Sequence, residues 1–347
     1  MALRGMYVLL IALLSFAQTP AAQLDKRQPV IDMHLHVFAP DAQGPPPLGM
    51  CTPLAEMPSW DPGAGAYAET FIAMFKKPAC SDPVWSPESR EEMRRRTLAE
   101  LSKHDVIGVL SGDSDKDIAY WRDAAPDRII PALGDSVQPL KVDAPTVARV
   151  KAMKAKGDIL VLSEIGPQYQ GISPADPTLE PFWKMAEDLD LPVGIHIGPG
   201  PPGAPHLMPA LSGYRARLDS ALVMEDVLLK HPKVRVYLMH AGYPMLDDLL
   251  AVLYTHPQVY VDVGVIVYTQ PRPAFYRYLQ AIVDAGFGKR VMFGSDNMVW
   301  PETIGRSIDV IEQAPFLSEG QKRDILYNNA ARFLRLDQAT IERHHAL

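Results

Sequence analysis

Val30-Ile31-Asp32-Met33-His34-Leu35-His36-Val37-Phe38 is an apolar run of strand character interrupted by two histidines. Side chains alternate along a strand, so His34 and His36 share one face and Leu35 takes the other. Two neutral imidazoles side by side make a clamp for a divalent cation. His-x-His alone arises often by chance, and it gains weight only from its position in a longer pattern.

Seven further runs of the same character lie downstream: VIGVLSG (106–112), IIPALGD (129–135), ILVLSEIG (159–166), PVGIHIG (192–198), VRVYLMHAG (234–242), VYVDVGVI (259–266) and VMFGSD (291–296). They are nearly continuous in hydrophobicity, as parallel strands covered on both faces are. Helical patterns separate them, among them MRRRTLAELSKH (93–104), PTVARVKAMKAKG (145–157), PTLEPFWKMAEDLD (177–190) and LDSALVMEDVLLKH (218–231). The His231-Pro232 and His256-Pro257 pairs stop the preceding segment just before a strand. Strand alternating with helix eight times predicts an α/β fold, a (β/α)8 TIM barrel. An open doubly wound sheet is the alternative, but no glycine-rich nucleotide loop follows the first strand. Two helical patterns close the chain, around Glu302 to Gln313 and in SEGQKRDILYNNAARFLRL (318–336).

The connection after the first strand, 38–86, is too long for an ordinary loop. It holds Trp60, Tyr67, Phe71, Phe75 and Trp85, so it can pack, and it is expected to wall the barrel mouth as an active-site insertion. At the N-terminus, Arg4 precedes the apolar run YVLLIALLSFA and then TPAAQ. This has the layout of a cleaved signal peptide over 1–22, leaving 23–347 as one barrel domain. The expected location is therefore exported, periplasmic or secreted, with no stable membrane span after processing. In an oxidising compartment Cys51 and Cys80, the two cysteines of the chain, are expected to pair. The net charge of −7 gives no basic footprint for nucleic acid. A small-molecule substrate is the expected partner, and a homo-oligomer is compatible with the sequence.

Barrel active sites gather at the C-terminal ends of the strands. There, Glu164 ends the fourth run, His196 the fifth, His240 the sixth and Asp296 the eighth. Each interrupts apolar sequence where an unpaired polar group costs several kcal/mol. With His34 and His36 they make six potential metal ligands at one end of the barrel. Tyr169, Gln170, His206, Tyr243, Tyr268 and Trp300 also follow strand ends and are secondary candidates to face substrate. Arg215, Arg217 and Arg272 are candidates to bind a substrate carboxylate. His344 and His345, at the tail, are expected to be unordered or outside any site.

From Val30 to about Leu336 the chain resembles the amidohydrolase superfamily. The nearest branch contains aminocarboxymuconate-semialdehyde decarboxylase and related ring-acid decarboxylases. The matching stretches are IDMHLHVF, IHIG, EDVLLKHPKVRVYLMHAG and FGSD. The resemblance implies that His34, His36, His196 and Asp296 ligate one divalent metal, usually zinc. It makes His240 a catalytic histidine or a ligand of a second metal. Binuclear superfamily members carry a carboxylated lysine or a glutamate at the end of strand four, bridging two metals, whereas the ring-acid decarboxylases lack it. Glu164 therefore resembles the binuclear hydrolase arrangement. Metal-dependent deoxyribonucleases have a similar glutamate, but the negative charge disfavours a polyanionic substrate.

The expected function is hydrolysis of an ester, lactone or amide by metal-activated water, with one or two ions per chain and Asp296 taking the proton. The alternatives are a non-oxidative decarboxylase with His240 as proton donor or base, and a non-enzymatic, metal-stabilised periplasmic binding barrel.

Overall fold

The computed structural model describes residues 28–112, 114–135 and 142–347. The segment 1–22, expected to be a signal peptide, lies outside the described residues.

Eight parallel strands form one sheet in sequence order. They are β1 (Val30–Val37), β2 (Val106–Gly112), β3 (Ile129–Asp135), β4 (Val161–Ile165), β5 (Val193–His196), β6 (Val236–Met239), β7 (Val259–Asp262) and β8 (Val291–Met292). The Met33 N–H donates to Phe293 O at 2.9 Å and the Asp296 N–H to His34 O at 2.7 Å, drawing the last strand back to the first. The sheet is a nearly closed barrel with helices between its strands, as the alternating pattern predicts.

The helices start where their sequences offer caps. Ser89 accepts from Glu92 N ahead of Arg90–Lys103, and Asp143 accepts from Thr146 N ahead of Ala144–Lys156. The second of these ends at Gly157, whose φ of 74° is the left-handed cap that glycine adopts without penalty. The pattern at 218–231 is only partly an α-helix: two 3-10 turns lead into Glu225–Lys230. The C-terminal pattern is helical from Glu319 to Leu334, with a π-helical stretch at Asp324–Asn328. The tail departs from expectation. His344 lies in the helix Gln338–Ala346, buried, with Nδ1 3.0 Å from the Tyr327 hydroxyl. Apolar contact beneath the barrel orders this segment, and it remains outside the site.

Two apolar layers result. Outward-facing strand residues such as Leu35, Leu110, Leu162, Ile195 and Leu238 pack against the surrounding helices. Ile31, Met33, Ile107, Val109, Tyr237 and Met239 form a separate inner cluster, closed by Tyr327, Ala330 and Phe333 of the C-terminal helices. The pairing of β1 with β2 shifts between Asp32 and Leu35. This β-bulge changes the phase of alternation. Ile31 and Met33 fill the inner layer, and His34 and His36 still share a face above it.

The long first connection folds on itself. Gly49–Met50 pairs antiparallel with Val84–Trp85, and Tyr67–Lys76 forms a helix whose buried face is Tyr67, Phe71 and Phe75. Cys51 and Cys80 are joined as a disulfide across a sequence separation of 29. Trp300 Nε1 donates to Leu48 O at 2.9 Å and Leu54 N to Thr269 O at 3.0 Å, fastening the segment to the loops after β7 and β8.

Closing a loop of this length restricts the unfolded chain by about 3–4 kcal/mol at most in the chain-entropy model. Oxidised protein should therefore unfold at higher urea than a Cys51→Ser, Cys80→Ser variant. Coincident urea midpoints, or two thiols that label freely without reductant, would remove the disulfide from the account of stability.

Candidate metal centre

The ends of the strands bring six titratable side chains together. His34 and His36 lie in the C-terminal half of β1, Glu164 in β4 and His196 at the end of β5. His240 follows β6 directly and Asp296 follows β8. All six are buried. His240 and Asp296 hold φ values of 63° and 50°, uncommon for residues with a Cβ. Strain of this kind persists where the surroundings over-determine the backbone, as they do at functional sites.

Glu164 occupies the centre. Its Oε2 is 3.4 Å from His36 Nε2 and 3.8 Å from His34 Nε2. Its Oε1 is 3.5 Å from His196 Nε2 and 3.7 Å from His240 Nε2. Asp296 Oδ1 stands across from it, 3.3 Å from His36 Nε2 and 3.8 Å from His34 Nε2. Two overlapping groups have the spacing to hold a cation, His34–His36–Asp296 and His34–Glu164–His240, and they share His34.

The opposite ring nitrogens fix these orientations. His34 Nδ1 is 3.2 Å from Asp262 Oδ2, and His240 Nδ1 donates to Gly264 O at 2.9 Å. His36 Nδ1 is 3.2 Å from Ser111 Oγ, and the Gln168 amide meets His196 Nδ1. Asp262 Oδ1 also accepts from the backbone of His240 and Gly264 at 3.0 and 2.8 Å, so one carboxylate orients β1 and the end of β6. A Cβ on Gly264 would come 2.5 Å from His34 Nδ1, so the close approach requires glycine. Asp32, near His34 in sequence, serves the backbone instead: its Oδ1 accepts from His34 N and Ser295 N.

The charges balance within the site. Burial disfavours the protonated form of His34 and His36. The carboxylates outweigh it, Asp296 and Asp262 holding His34 well above the ordinary histidine value, Asp296 and Glu164 raising His36. Burial likewise opposes ionisation of Glu164 and Asp296. The imidazoles reverse this and keep Glu164 well below the usual carboxylate range and Asp296 below it. His196 goes the other way: burial and the neighbouring His240 push it down to about 3, leaving a neutral ring.

These residues fit a divalent cation. With Nδ1 of His34 turned to Asp262, its Nε2 faces His36 Nε2 at only 3.1 Å. Two nitrogen lone pairs that close need a proton or a cation at them. His240 Nε2 is buried, aimed at Glu164, and has no hydrogen-bond partner. A histidine and carboxylate donor set suits zinc and other first-row divalent ions.

Above this floor is a cavity of about 850 Å3, walled by 38–75 on one side and by loops after β5, β7 and β8 on others. Among the secondary candidates, Tyr169, Tyr243 and Trp300 line it. The Tyr169 hydroxyl is 2.7 Å from His196 Nε2; burial first, then Glu164 and Asp296, hold its phenol well above its ordinary value. Tyr268 supports the site from behind, donating to Asp296 O at 2.9 Å. Gln170 and His206 are not in the lining; His206 packs on Trp60, with ring centroids 5.2 Å apart.

The three arginine candidates lie outside the cavity lining. Arg215 donates to Ser212 O and Tyr214 O, Arg272 to Val267 O, and Arg217 is exposed; none lines the cavity. The donors of Arg215 and Arg272 meet backbone carbonyls that the loops leave unpaired. Asp262, Gln168, Ser111 and Asn297, which accepts from His36 N at 2.9 Å, are not among the residues singled out from sequence. Asp262 alone carried a usable signal, a carboxylate ending an apolar strand.

The amidohydrolase family model matches residues 31–336. None of the curated proteins matches the sequence. Among solved structures, an uncharacterised TIM-barrel protein from Bordetella bronchiseptica is 17% identical, with a TM-score of 0.56, over 90% of this chain and 99% of that one. A probable 2-pyrone-4,6-dicarboxylic acid hydrolase from Acinetobacter baumannii is 15% identical, TM-score 0.52, over 88% and 99%. A 5-carboxyvanillate decarboxylase from Novosphingobium aromaticivorans with manganese bound is 14% identical, TM-score 0.55, over 90% and 98%. At these identities the likeness is one of fold.

Asp262→Asn would place an amide opposite His34 Nδ1 and release the ring. Partners of this kind are worth roughly 10–100-fold in metal affinity. Competition with a chelator should show that loss while circular dichroism stays unchanged. Undiminished affinity would deny Asp262 its orienting role.

Proposed function

The chain belongs to the amidohydrolase family, and from that premise we propose that it is a metal-dependent hydrolase of an ester, lactone or amide bond in a small molecule. The observation that carries this is the position of Glu164, a buried carboxylate within 3.8 Å of four imidazole nitrogens. A carboxylate so placed has an oxygen for each of two neighbouring cations. In this proposal His34, His36 and Asp296 would hold one ion, and His196 and His240 would hold a second, with Glu164 available to both. Zinc is the expected ion.

A divalent ion bound there supplies a water of lowered pKa and polarises the scissile carbonyl. Asp296 would accept the proton of the attacking water and return it to the leaving group. Tyr169, held in its protonated form, lines the cavity with its hydroxyl at His196 Nε2, and on turning from that ring it would donate to the carbonyl oxygen as charge develops there. Asp262 and Gly264 keep His34 and His240 from turning away during turnover.

The neighbours include a decarboxylase, and loss of carbon dioxide is the competing reaction. Elemental analysis separates the two. Protein supplied with zinc should hold close to two ions per chain, and Glu164→Gln should fall toward one. Asp296→Asn should lower kcat for hydrolysis by roughly 100- to 10,000-fold. One ion in both native protein and Glu164→Gln, with carbon dioxide released from an aromatic acid, would replace the hydrolase with a carboxy-lyase.

A further inference from the structure

The cavity over the six-residue floor has an uneven chemistry. Its walls carry five methionines, Met50, Met57, Met74, Met208 and Met298, together with Leu54, Phe71, Ile72, Phe75, Leu207 and Leu211. Among the described residues lining it there is no lysine and no arginine. The charged groups are acidic, Glu164 and Asp296 at the floor and Asp41 on the wall.

A carboxylate taken into such a space would lose its hydration and find no cationic side chain among the described lining residues in return. The ions at the floor do not compensate, because their charge is held at the reacting bond and a carboxylate remote from that bond meets only the walls. Arg215 and Arg272 lie outside the lining, and each turns one guanidinium nitrogen to backbone carbonyls, Arg215 to Ser212 and Tyr214 and Arg272 to Val267. An apolar group, by contrast, gains on burial in proportion to its area. At about 850 Å3 the cavity lies toward the upper end of the range for small-molecule sites. Methionine side chains adjust to irregular shapes, so walls rich in them take hydrocarbon groups of varied form.

We propose that the site takes uncharged substrates with a bulky apolar acyl or aryl part and discriminates against substrates with a carboxylate remote from the reacting bond. The hydrocarbon part lies against the wall residues that the helix Tyr67–Lys76 and the 207–211 segment contribute. The identity of the cleaved bond rests on the hydrolase proposal above; the preference for an uncharged, apolar group rests on the walls.

Two measurements on the metal-loaded protein test this separately. The first is binding of benzophenone, a neutral diaryl ketone, followed by quenching of tryptophan emission. Benzophenone should bind, and Met74→Lys and Met208→Lys, both in the lining, should each weaken it at least tenfold. Met208 is half exposed, so its replacement leaves folding undisturbed. Absence of binding, or binding indifferent to both substitutions, overturns the proposal. The second compares 4-nitrophenyl octanoate with the mono-4-nitrophenyl ester of octanedioic acid, equal in chain length and differing by a terminal carboxylate. The octanoate should have at least tenfold higher kcat/KM, and Met74→Lys should narrow the gap. Equal or reversed preference overturns the proposal. Wall-dependent benzophenone binding with no ester, lactone or amide cleaved would sustain the substrate class and discard the hydrolase.

Discussion

Two ionised carboxylates and four imidazoles are buried together with almost no access to water, and that crowding is stable only if charge is balanced inside the barrel. Glu164 and Asp296 stay ionised because the histidines surround them, and His34 and His36 are raised because the carboxylates are there. Neither set is tolerable alone, since an uncompensated buried charge is strongly destabilising. The barrel ends are shaped around this mutual requirement. Left-handed backbone at His240 and Asp296, the glycine at 264 and the carboxylate of Asp262 all hold rings at distances they would not choose unaided.

Much of this was legible in the chain. Apolar runs of parallel-strand type mark every barrel strand, because a strand covered on both faces has no polar alternation to obscure it. Glu164, His196, His240 and Asp296 stand out because each polar residue breaks such a run at its C-terminal end. The pairing of Cys51 with Cys80 could also be read from the sequence, once export is expected.

What was not legible depends on tertiary distance. The bulge in β1 comes from how β1 meets β2, and no local pattern announces it. Ser111 reaches His36 only because the strands are in register, their residues facing as neighbours. Gln168 lies in the single 3-10 turn Pro167–Gln170 and Asn297 in irregular backbone, where residue type alone gives no direction. The tail histidines illustrate the same limit, because the burial of His344 depends on Tyr327, seventeen positions away. The loop arginines fall outside the cavity lining for a related reason: an arginine near a strand end is as useful to an unpaired carbonyl as to a ligand.

The first connection leaves and rejoins the barrel through the Gly49–Met50 and Val84–Trp85 pair, with the disulfide directly inside it at a Cα separation of 5.8 Å. The stretch between is tied to the barrel loops by Leu54 N on Thr269 O and the Tyr67 hydroxyl on Pro202 O, and its two ends are neighbours in one narrow stalk. That makes the segment an exchangeable cassette. A protein engineer could cut at the stalk and insert a wall of different length or polarity. The barrel would keep its own core and the six converging side chains, while the enclosure above them changed wholesale.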